Sequence, residues 1–334
     1  MHKQRKKETL PGEPSYLSLF RSGELKRRAE LIGESLKSCT FCLHSCKINR
    51  LEKKGKCRFD ANVPVASHCV HKGEEPVLTG NTGVANIFLV GCSLRCVYCQ
   101  NFEISQTSAK HTTVTVGELA SIMMQYQNQG CRLLGFVNPT HAIHSILQSL
   151  VIACQQGFSL PLIYNTHAYD SISLLKMLDG IFDIYLPDFK YGCEDAAVAY
   201  SSCSGYVQGA FRAIKEMHRQ LRNDWIVDLD GFLRRGLLIR YLVLPNDLSC
   251  SKEVFRMIAS IDRELHVSIM SQYYPAYQAT NFPLLERNLR ESEYDKAIEL
   301  FFDAGLQNGF IQEPESESNY RPDFQRLHPF EDIE

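Results

Sequence analysis

The sequence predicts an α/β fold in which six parallel strands alternate with helices and bend into a partial (β/α)6 barrel. Three observations carry this: six apolar strand-like runs recur after Ala85, helix-length segments separate them, and glycines close those segments. The runs are ANIFLVG, RLLGFVNP, PLIYNT, FDIYLPDF, GLLIRYLVLP and HVSIMSQYYP. Runs this uniformly apolar suit strands covered on both faces, which a parallel sheet with right-handed helical crossovers provides. Between them, VGELASIMMQYQNQG, AIHSILQSLVIACQQG and SISLLKMLDG are apolar at helical spacing and end at Gly130, Gly157 and Gly180. Six units stop short of a closed eight-stranded barrel, and the chemistry of such a fold collects at the strand C-termini.

Composition divides the rest. Residues 1–38 form a polar extension with one amphipathic helix in GELKRRAELIGESL. Residues 39–83 are rich in Cys, Lys, Gly and Pro without sustained periodicity, the pattern of a small module folded around a metal. The barrel occupies 84–312, and residues 313–334 are acidic and proline-containing, which predicts a loosely packed or disordered tail.

Of 334 residues, 44% are hydrophobic and the net charge is −2, so no molecule-wide field gathers polyanions and nucleic acid is not an expected partner. The basic start MHKQRKKE lacks the apolar core of a signal peptide, and no run approaches the roughly 20 residues of a membrane span. No membrane association is expected, and the expected compartment is the cytoplasm, where thiols stay reduced. Clustered cysteines among the thirteen then read as metal ligands. Cys131, Cys154, Cys193, Cys203 and Cys250 are scattered and read as small hydrophobes without a function. His141, His144 and His218 read as surface or satisfied core residues.

The first apolar run leads into Cys92, Cys96 and Cys99, three thiols on one tight loop at a strand C-terminus. Iron–sulfur cubes prefer four cysteine thiolates, so a [4Fe-4S] cluster held by three leaves one iron open to a chelating amino and carboxylate pair. The methionine end of S-adenosylmethionine (SAM) carries both groups. This Cys-x3-Cys-x2-Cys loop, with Tyr98 before the third cysteine, resembles the signature of the radical SAM superfamily. His71-Lys-Gly-Glu-Glu-Pro76, Cys99-Gln-Asn-Phe-Glu-Ile-Ser105, Tyr164-Asn-Thr166, Tyr185-Leu-Pro-Asp-Phe-Lys190, Arg240-Tyr-Leu-Val-Leu-Pro245 and Ser271-Gln-Tyr273 resemble its pyruvate formate-lyase activating enzyme-like family, over residues 39 to 312.

The resemblance implies a radical SAM oxidoreductase with a TIM-like barrel, in which cluster-bound SAM is reductively cleaved and the resulting radical abstracts hydrogen. Cys92, Cys96 and Cys99 would hold the cluster. Asn138 and Thr140 stand where many relatives carry a Gly-Gly-Glu run that binds the SAM amino group, and they offer acceptors instead. Asn165 and Thr166 match a ribose or methionine contact, followed by His167 and Ala168 where relatives have a small residue and glycine. Asp188 and Lys190 would grip substrate or cofactor, Arg240 would meet the SAM carboxylate, and Ser271 and Gln272 would lie at the adenine or ribose end. Implied partners are an electron donor such as flavodoxin or ferredoxin, and a glycyl-radical protein as substrate. A small molecule or another peptide is the alternative substrate, and a non-catalytic Fe–S or zinc scaffold the alternative to an enzyme.

Upstream, Cys39, Cys42, Cys46 and Cys57 make a second metal-ligand pattern amid Lys47, Arg50, Lys53, Lys54, Lys56 and Arg58. Four thiolates close a tetrahedral zinc site or hold a second [4Fe-4S] cluster, with the nearby cations offsetting their charge. Without interleaved aromatics these cations do not make a nucleic-acid surface.

Overall fold

The computed structural model describes residues 12–106, 112–313, 322–324, 326, 329 and 330. Among the described residues ten strands form one sheet: β1 (Val63–His71), β2 (Val84–Leu89), β3 (Thr112–Val114), β4 (Leu134–Val137), β5 (Leu162–Thr166), β6 (Ile184–Pro187), β7 (Ile226–Val227), β8 (Leu233–Leu242), β9 (His266–Met270) and β10 (Gly309–Ile311). Their order is β10-β9-β8-β6-β5-β4-β2-β1-β3, with β7 paired to β8. The ladder from β2 through β4, β5, β6, β8 and β9 to β10 is parallel throughout. Its first six members are the six apolar runs, and β10 adds a short seventh.

A flat sheet would hold β2 and β9 about 24 Å apart, at roughly 4.8 Å per strand. Instead, Gln100 Nε2, just beyond β2, donates to the Gln272 carbonyl beyond β9 at 2.7 Å, and Gln278 N donates to Val97 O at 2.8 Å. The parallel strands therefore curl until the loops at their C-terminal ends meet. All six residues of β2 are buried, as a strand covered on both faces demands.

The helices follow their local signals. Val116–Asn128 opens on a capping box in which Glu118 N donates to Thr115 Oγ1 and Thr115 N donates to Glu118 Oε2. That helix and Ile143–Gln155 both stop just ahead of glycines in the left-handed region, Gly130 and Gly157.

Three regions differ from expectation. The amino-terminal extension carries two helices, Tyr16–Arg21 and Glu24–Glu34, and the second packs on Ile143–Gln155 through buried Leu25, Ala29 and Ile32. Burying Leu25 and Ile32 contributes about 1.5–3 kcal/mol each, which outweighs the polar composition. The chain from Val63 to His71, within the cysteine-rich stretch, is strand β1, antiparallel to β2 and β3. Its alternation was obscured by Pro64, Ser67 and two histidines. The described part of the acidic tail is packed: Phe330 lies 4.1 Å from the His71 ring and Phe324 5.4 Å from Phe88, between ring centroids. The rest of that tail lies outside the described residues. Among the described residues, no helix is long and apolar enough to cross a membrane.

Candidate active site

Strand β2 ends in a turn that only glycine fits. Gly91 has φ +91°, and a Cβ there would strike the Phe59 ring and come within 2.9 Å of Cys57 O. The turn sends the chain into the loop of Cys92, Cys96 and Cys99, all three of which line one cavity of about 220 Å³. Every sulfur has a hydrogen-bond partner. Leu94 N donates to Cys92 Sγ at 3.3 Å, Ser201 Oγ donates to Cys96 Sγ at 2.9 Å, and Cys99 Sγ shares a bond with Ser105 Oγ at 3.1 Å. Behind Ser201 stands a hydroxyl chain. Tyr191 OH is 2.6 Å from Ser201 Oγ, and Tyr98 OH is 2.7 Å from Tyr191 OH. Each hydroxyl has one proton, so with Ser201 donating to sulfur, Tyr191 donates to Ser201 and Tyr98 to Tyr191. Burial pushes the Cys92 thiol up to about 12 and Cys96 to about 11, so these buried sulfurs ask for a cation to hold them as thiolates.

The cavity takes its walls from the C-terminal ends of all six central strands: Leu89, Val137, Thr166, Asp188, Leu242 and Met270. Lys190 Nζ pairs with Asp188 Oδ2 at 2.6 Å. Burial works against the Lys190 charge, but Asp188 and the Cys96 and Cys99 sulfurs outweigh it and raise its pKa. Asn138, Asn165, Asp188, Lys190, Arg240 and Gln272 all line this cavity. Asn138 is held in the left-handed region, its Nδ2 donating to Gly91 O at 2.7 Å while its Oδ1 is buried without a partner.

Other expected contacts are corrected. Thr140 does not line the cavity, and its hydroxyl donates to Asp170 Oδ1 at 2.7 Å. Thr166 lines the cavity but its hydroxyl is committed to Asp170 Oδ2, also at 2.7 Å. Asp170 is fully buried, and Tyr164 OH supplies a third donor at 2.8 Å; three hydroxyls are how a carboxylate without a cation is satisfied here. Ser271 points away, donating to Glu313 O at 2.7 Å, because strand alternation turns it opposite to Met270 and Gln272. Arg240 is not free to meet a ligand carboxylate with its whole fork: Nε donates to Glu75 Oε1 at 2.8 Å, and Nη2 bonds Glu74 and Glu75.

Glu74 and Glu75, with Arg240, wall a second, larger cavity of about 590 Å³ that shares Gln100, Asn101, Val137, Asn165, Arg240, Met270 and Gln272 with the first. Arg240 and Asn86 hold the Glu74 carboxyl well below the usual range against the cost of its burial. The sequence marked Glu74 and Glu75 only as part of a motif. Gln100, Ser105, Tyr191 and Ser201 had no role assigned, since Ser201 reaches Cys96 across 105 positions and no local spacing announces it.

The upstream thiols converge as well. Cys39, Cys42, Cys46 and Cys57 line a third cavity, of about 20 Å³, with Arg50, Lys56, Ser93, Asn138 and Thr140 among its walls. Among the described residues no group of three or more His, Cys, Asp or Glu side chains is placed to hold a single metal ion; the thiols of each set share a cavity wall. His141 and His144 are buried core histidines, donating to Val90 O and Ala61 O at 2.7 Å each, though His144 Nδ1 is buried without a partner. His167, kept neutral by burial, receives Tyr169 N on Nδ1 and so donates from Nε2 to Ser93 Oγ at 3.0 Å. Cys193 and Cys250, read as incidental thiols, are instead joined in a disulfide. Their separation of 57 residues hides the pairing, which arises where Gly192 N meets Ser249 O at 2.8 Å.

No family model matches the chain. Solved structures with a similar course of the chain include Streptococcus suis SuiB bound to precursor peptide SuiA, at 12% identity, TM-score 0.45, covering 66% of this chain and 46% of that one. Methylornithine synthase (PylB) is 14% identical at TM-score 0.47, covering 95% of this chain and 89% of its own, and HydG, a maturase of the [FeFe]-hydrogenase, 12% at 0.48, covering 88% and 65%. In sequence, the chain is 30% identical over 285 residues to the uncharacterized protein MJ0674 of Methanocaldococcus jannaschii, 83% of this chain and 78% of that protein. At that identity and span, the chain belongs to the family of MJ0674.

Proposed function

We propose that this protein is a radical SAM enzyme whose Cys92, Cys96 and Cys99 hold a [4Fe-4S] cluster with SAM on its open iron. The observation that carries the reading is that these three thiols, spaced Cys-x3-Cys-x2-Cys after β2, wall one cavity together with the C-terminal ends of the other five central strands. The donor set fits such a group: three hydrogen-bonded sulfurs, the Lys190 cation beside two of them, and the unpartnered Asn138 Oδ1. When bound and reduced, the cluster would supply one electron to the sulfonium of SAM, and SAM, losing methionine, would supply the 5′-deoxyadenosyl radical that abstracts hydrogen.

The chain's own residues position and enclose this chemistry. Lys190 offsets the negative charge of the thiolates while Asp188 holds its ammonium in place. Gln100 and Gln272 tie the loop after β2 to the loop after β9 and close that side of the cavity. Asn138, Asn165, Asp188, Lys190 and Gln272 are the SAM contacts of this reading, with Arg240 reduced to whatever its paired guanidinium spares. The adjoining cavity of about 590 Å³ has the size of small-molecule sites. It favours a small molecule or a peptide segment as the hydrogen donor, and a glycine segment of a glycyl-radical protein, the activase-like form of the reading, would be such a peptide. A flavodoxin or ferredoxin would supply the electron. Cys39, Cys42, Cys46 and Cys57 are a second metal site in this reading, for zinc or a second [4Fe-4S] cluster.

The test is anaerobic reconstitution with iron and sulfide, then dithionite and SAM, with 5′-deoxyadenosine measured by mass spectrometry. Wild type is expected to form it and Cys96→Ala to form none. A reconstituted, reduced wild type that binds no SAM and makes no product would overturn the reading in favour of a non-catalytic scaffold.

A further inference from the structure

We propose that the cavity of about 590 Å³ is the substrate site and that it selects a primary amine, whose ammonium group is held by Glu74, Glu75 and His71. The inference deepens the radical SAM reading and names its substrate class; it rests on that reading for the chemical step and on the cavity alone for binding.

Two independent observations carry it. The first is charge. The Glu74 and Glu75 side chains are only 11% and 7% exposed, and both form their ion pairs with the same Arg240. Arg240 meets Glu75 through Nε and Nη2 and Glu74 through Nη2, while Asn86 Nδ2 donates to Glu74 Oε1 at 2.7 Å. Among the described residues that wall this cavity, Arg240 is the one Lys or Arg, so two carboxylates meet one guanidinium and a negative charge is left over. Lys190, in the adjoining cavity, is already paired with Asp188 at 2.6 Å. Arg240 and Asn86 keep Glu74 ionised despite its burial, so protonation does not relieve the excess. Buried charge of this kind is costly until a counter-ion meets it. Among the described residues no three His, Cys, Asp or Glu are placed to hold a metal ion, which points to an organic cation.

The second observation is an orphaned polar atom. His71 is 6% exposed and forms part of the same wall, yet its Nδ1 is buried without a partner. Burial keeps the ring neutral against the pull of Glu74 and Glu75, with Arg240 acting in the same sense as burial. A neutral imidazole has one nitrogen able to accept. The group that answers both observations carries a positive charge and more than one N–H. A primary ammonium has three donors, enough to serve the carboxylates and the imidazole together. A carboxylate or phosphate would meet like charge at Glu74 and Glu75, and an alcohol would leave the excess charge unmet.

The position of the cavity suits a substrate. It is walled by His71 of β1 and Phe88 of β2 on one side and by Met270 of β9 and Phe310 of β10 on the other, the two ends of the curled sheet. Val137 and Met270 wall both this cavity and that of Cys92, Cys96 and Cys99. An amine anchored at Glu74 and Glu75 can therefore extend its carbon chain past these two apolar side chains toward the thiols. Mostly apolar walls with a few convergent polar groups are what small-molecule sites use to fix orientation. A C–H bond of that chain would break homolytically, its hydrogen atom passing to the 5′-deoxyadenosyl radical to give 5′-deoxyadenosine and leaving the unpaired electron on the amine's carbon.

Calorimetric titration of the full-length protein with hexylamine, hexanol and hexanoate, which share a chain length and differ in head group, tests this. Hexylamine is expected to bind at least about tenfold more tightly than the other two, the advantage of hydrogen bonds to charged partners. It is expected to keep that affinity on reconstituted protein loaded with SAM. In Glu74→Gln/Glu75→Gln the cavity keeps Arg240 and loses both carboxylates, so the preference should pass to hexanoate, a reversal that loss of folding does not produce. His71→Phe, which keeps a ring beside Phe330, is expected to weaken hexylamine about fivefold. Equal affinity of the wild type for the three probes, or no binding of hexylamine, would overturn the proposal without any variant. A hexylamine preference that survives the double substitution would overturn it by placing the cation elsewhere, and hexylamine displaced by SAM would assign the carboxylates to SAM's own cation. Binding is read on protein with and without the cluster, so the outcome stands apart from whether the wild type cleaves SAM.

Discussion

Ser201 is fully buried and spends its one proton on Cys96 Sγ, with Tyr191 and Tyr98 aligned behind it. Hydrogen bonds to cluster sulfurs raise the reduction potential, because they stabilise the more negative reduced state. For the proposed cluster, Ser201→Ala is therefore expected to lower the midpoint by something on the order of tens of millivolts, a typical net hydrogen-bond energy spread over one electron. Ser201→Thr, which keeps the hydroxyl, is expected to restore it. A redox titration followed by electron paramagnetic resonance reads the shift, and equal midpoints in Ser201→Ala and wild type would remove Ser201 from this role. At this scale the sequence was a partial guide. That Cys92, Cys96 and Cys99 share one cavity was legible because a loop at a strand end brings near neighbours together. Thr140, Thr166 and Ser271 were not, since a hydroxyl goes to whichever acceptor the fold presents, and Asp170 and Glu313 O present themselves only after folding.

Among elements, the junction between β2 and the cysteine loop bears the tightest steric demand. Gly91→Ala would force a side chain into the left-handed region and into Phe59, at a cost of about 1–3 kcal/mol or more. A urea titration should register the lower midpoint, and the variant should retain less iron after reconstitution, because the turn that aims Cys92 is displaced. A midpoint equal to wild type would mean that Phe59 moves aside at no cost. The elements themselves were largely legible: six apolar runs became six adjacent parallel strands, and glycine-terminated helices ended where the glycines stand. Strand β1 escaped because its residues read as loop in isolation, and they are strand through pairing with β2 and β3.

Across the whole molecule, the Cys193–Cys250 disulfide joins the loop after β6 to the residue preceding helix Ser251–Ile261. Closing that span restricts the unfolded chain by at most about 4 kcal/mol on the chain-entropy account. Cys193→Ala/Cys250→Ala is expected to lose about 2–4 kcal/mol in urea unfolding, and alkylation of denatured wild type without reductant should leave two of the thirteen cysteines unmodified. Full alkylation would show the pair to be dithiol in solution. What the sequence determined by itself was periodic or local: the β/α alternation, the helix ends, the two cysteine sets and the strand end that carries the first of them. Tertiary structure alone decided which side chains face the cavity, that Glu74 and Glu75 claim Arg240, that the two cysteine sets sit back to back across Cys92 and Ser93, and that two distant thiols pair. The reason is physical: periodicity and spacing are written along the chain, whereas hydrogen-bond partners, ion pairs and cavity size belong to segments that meet only when the sheet curls.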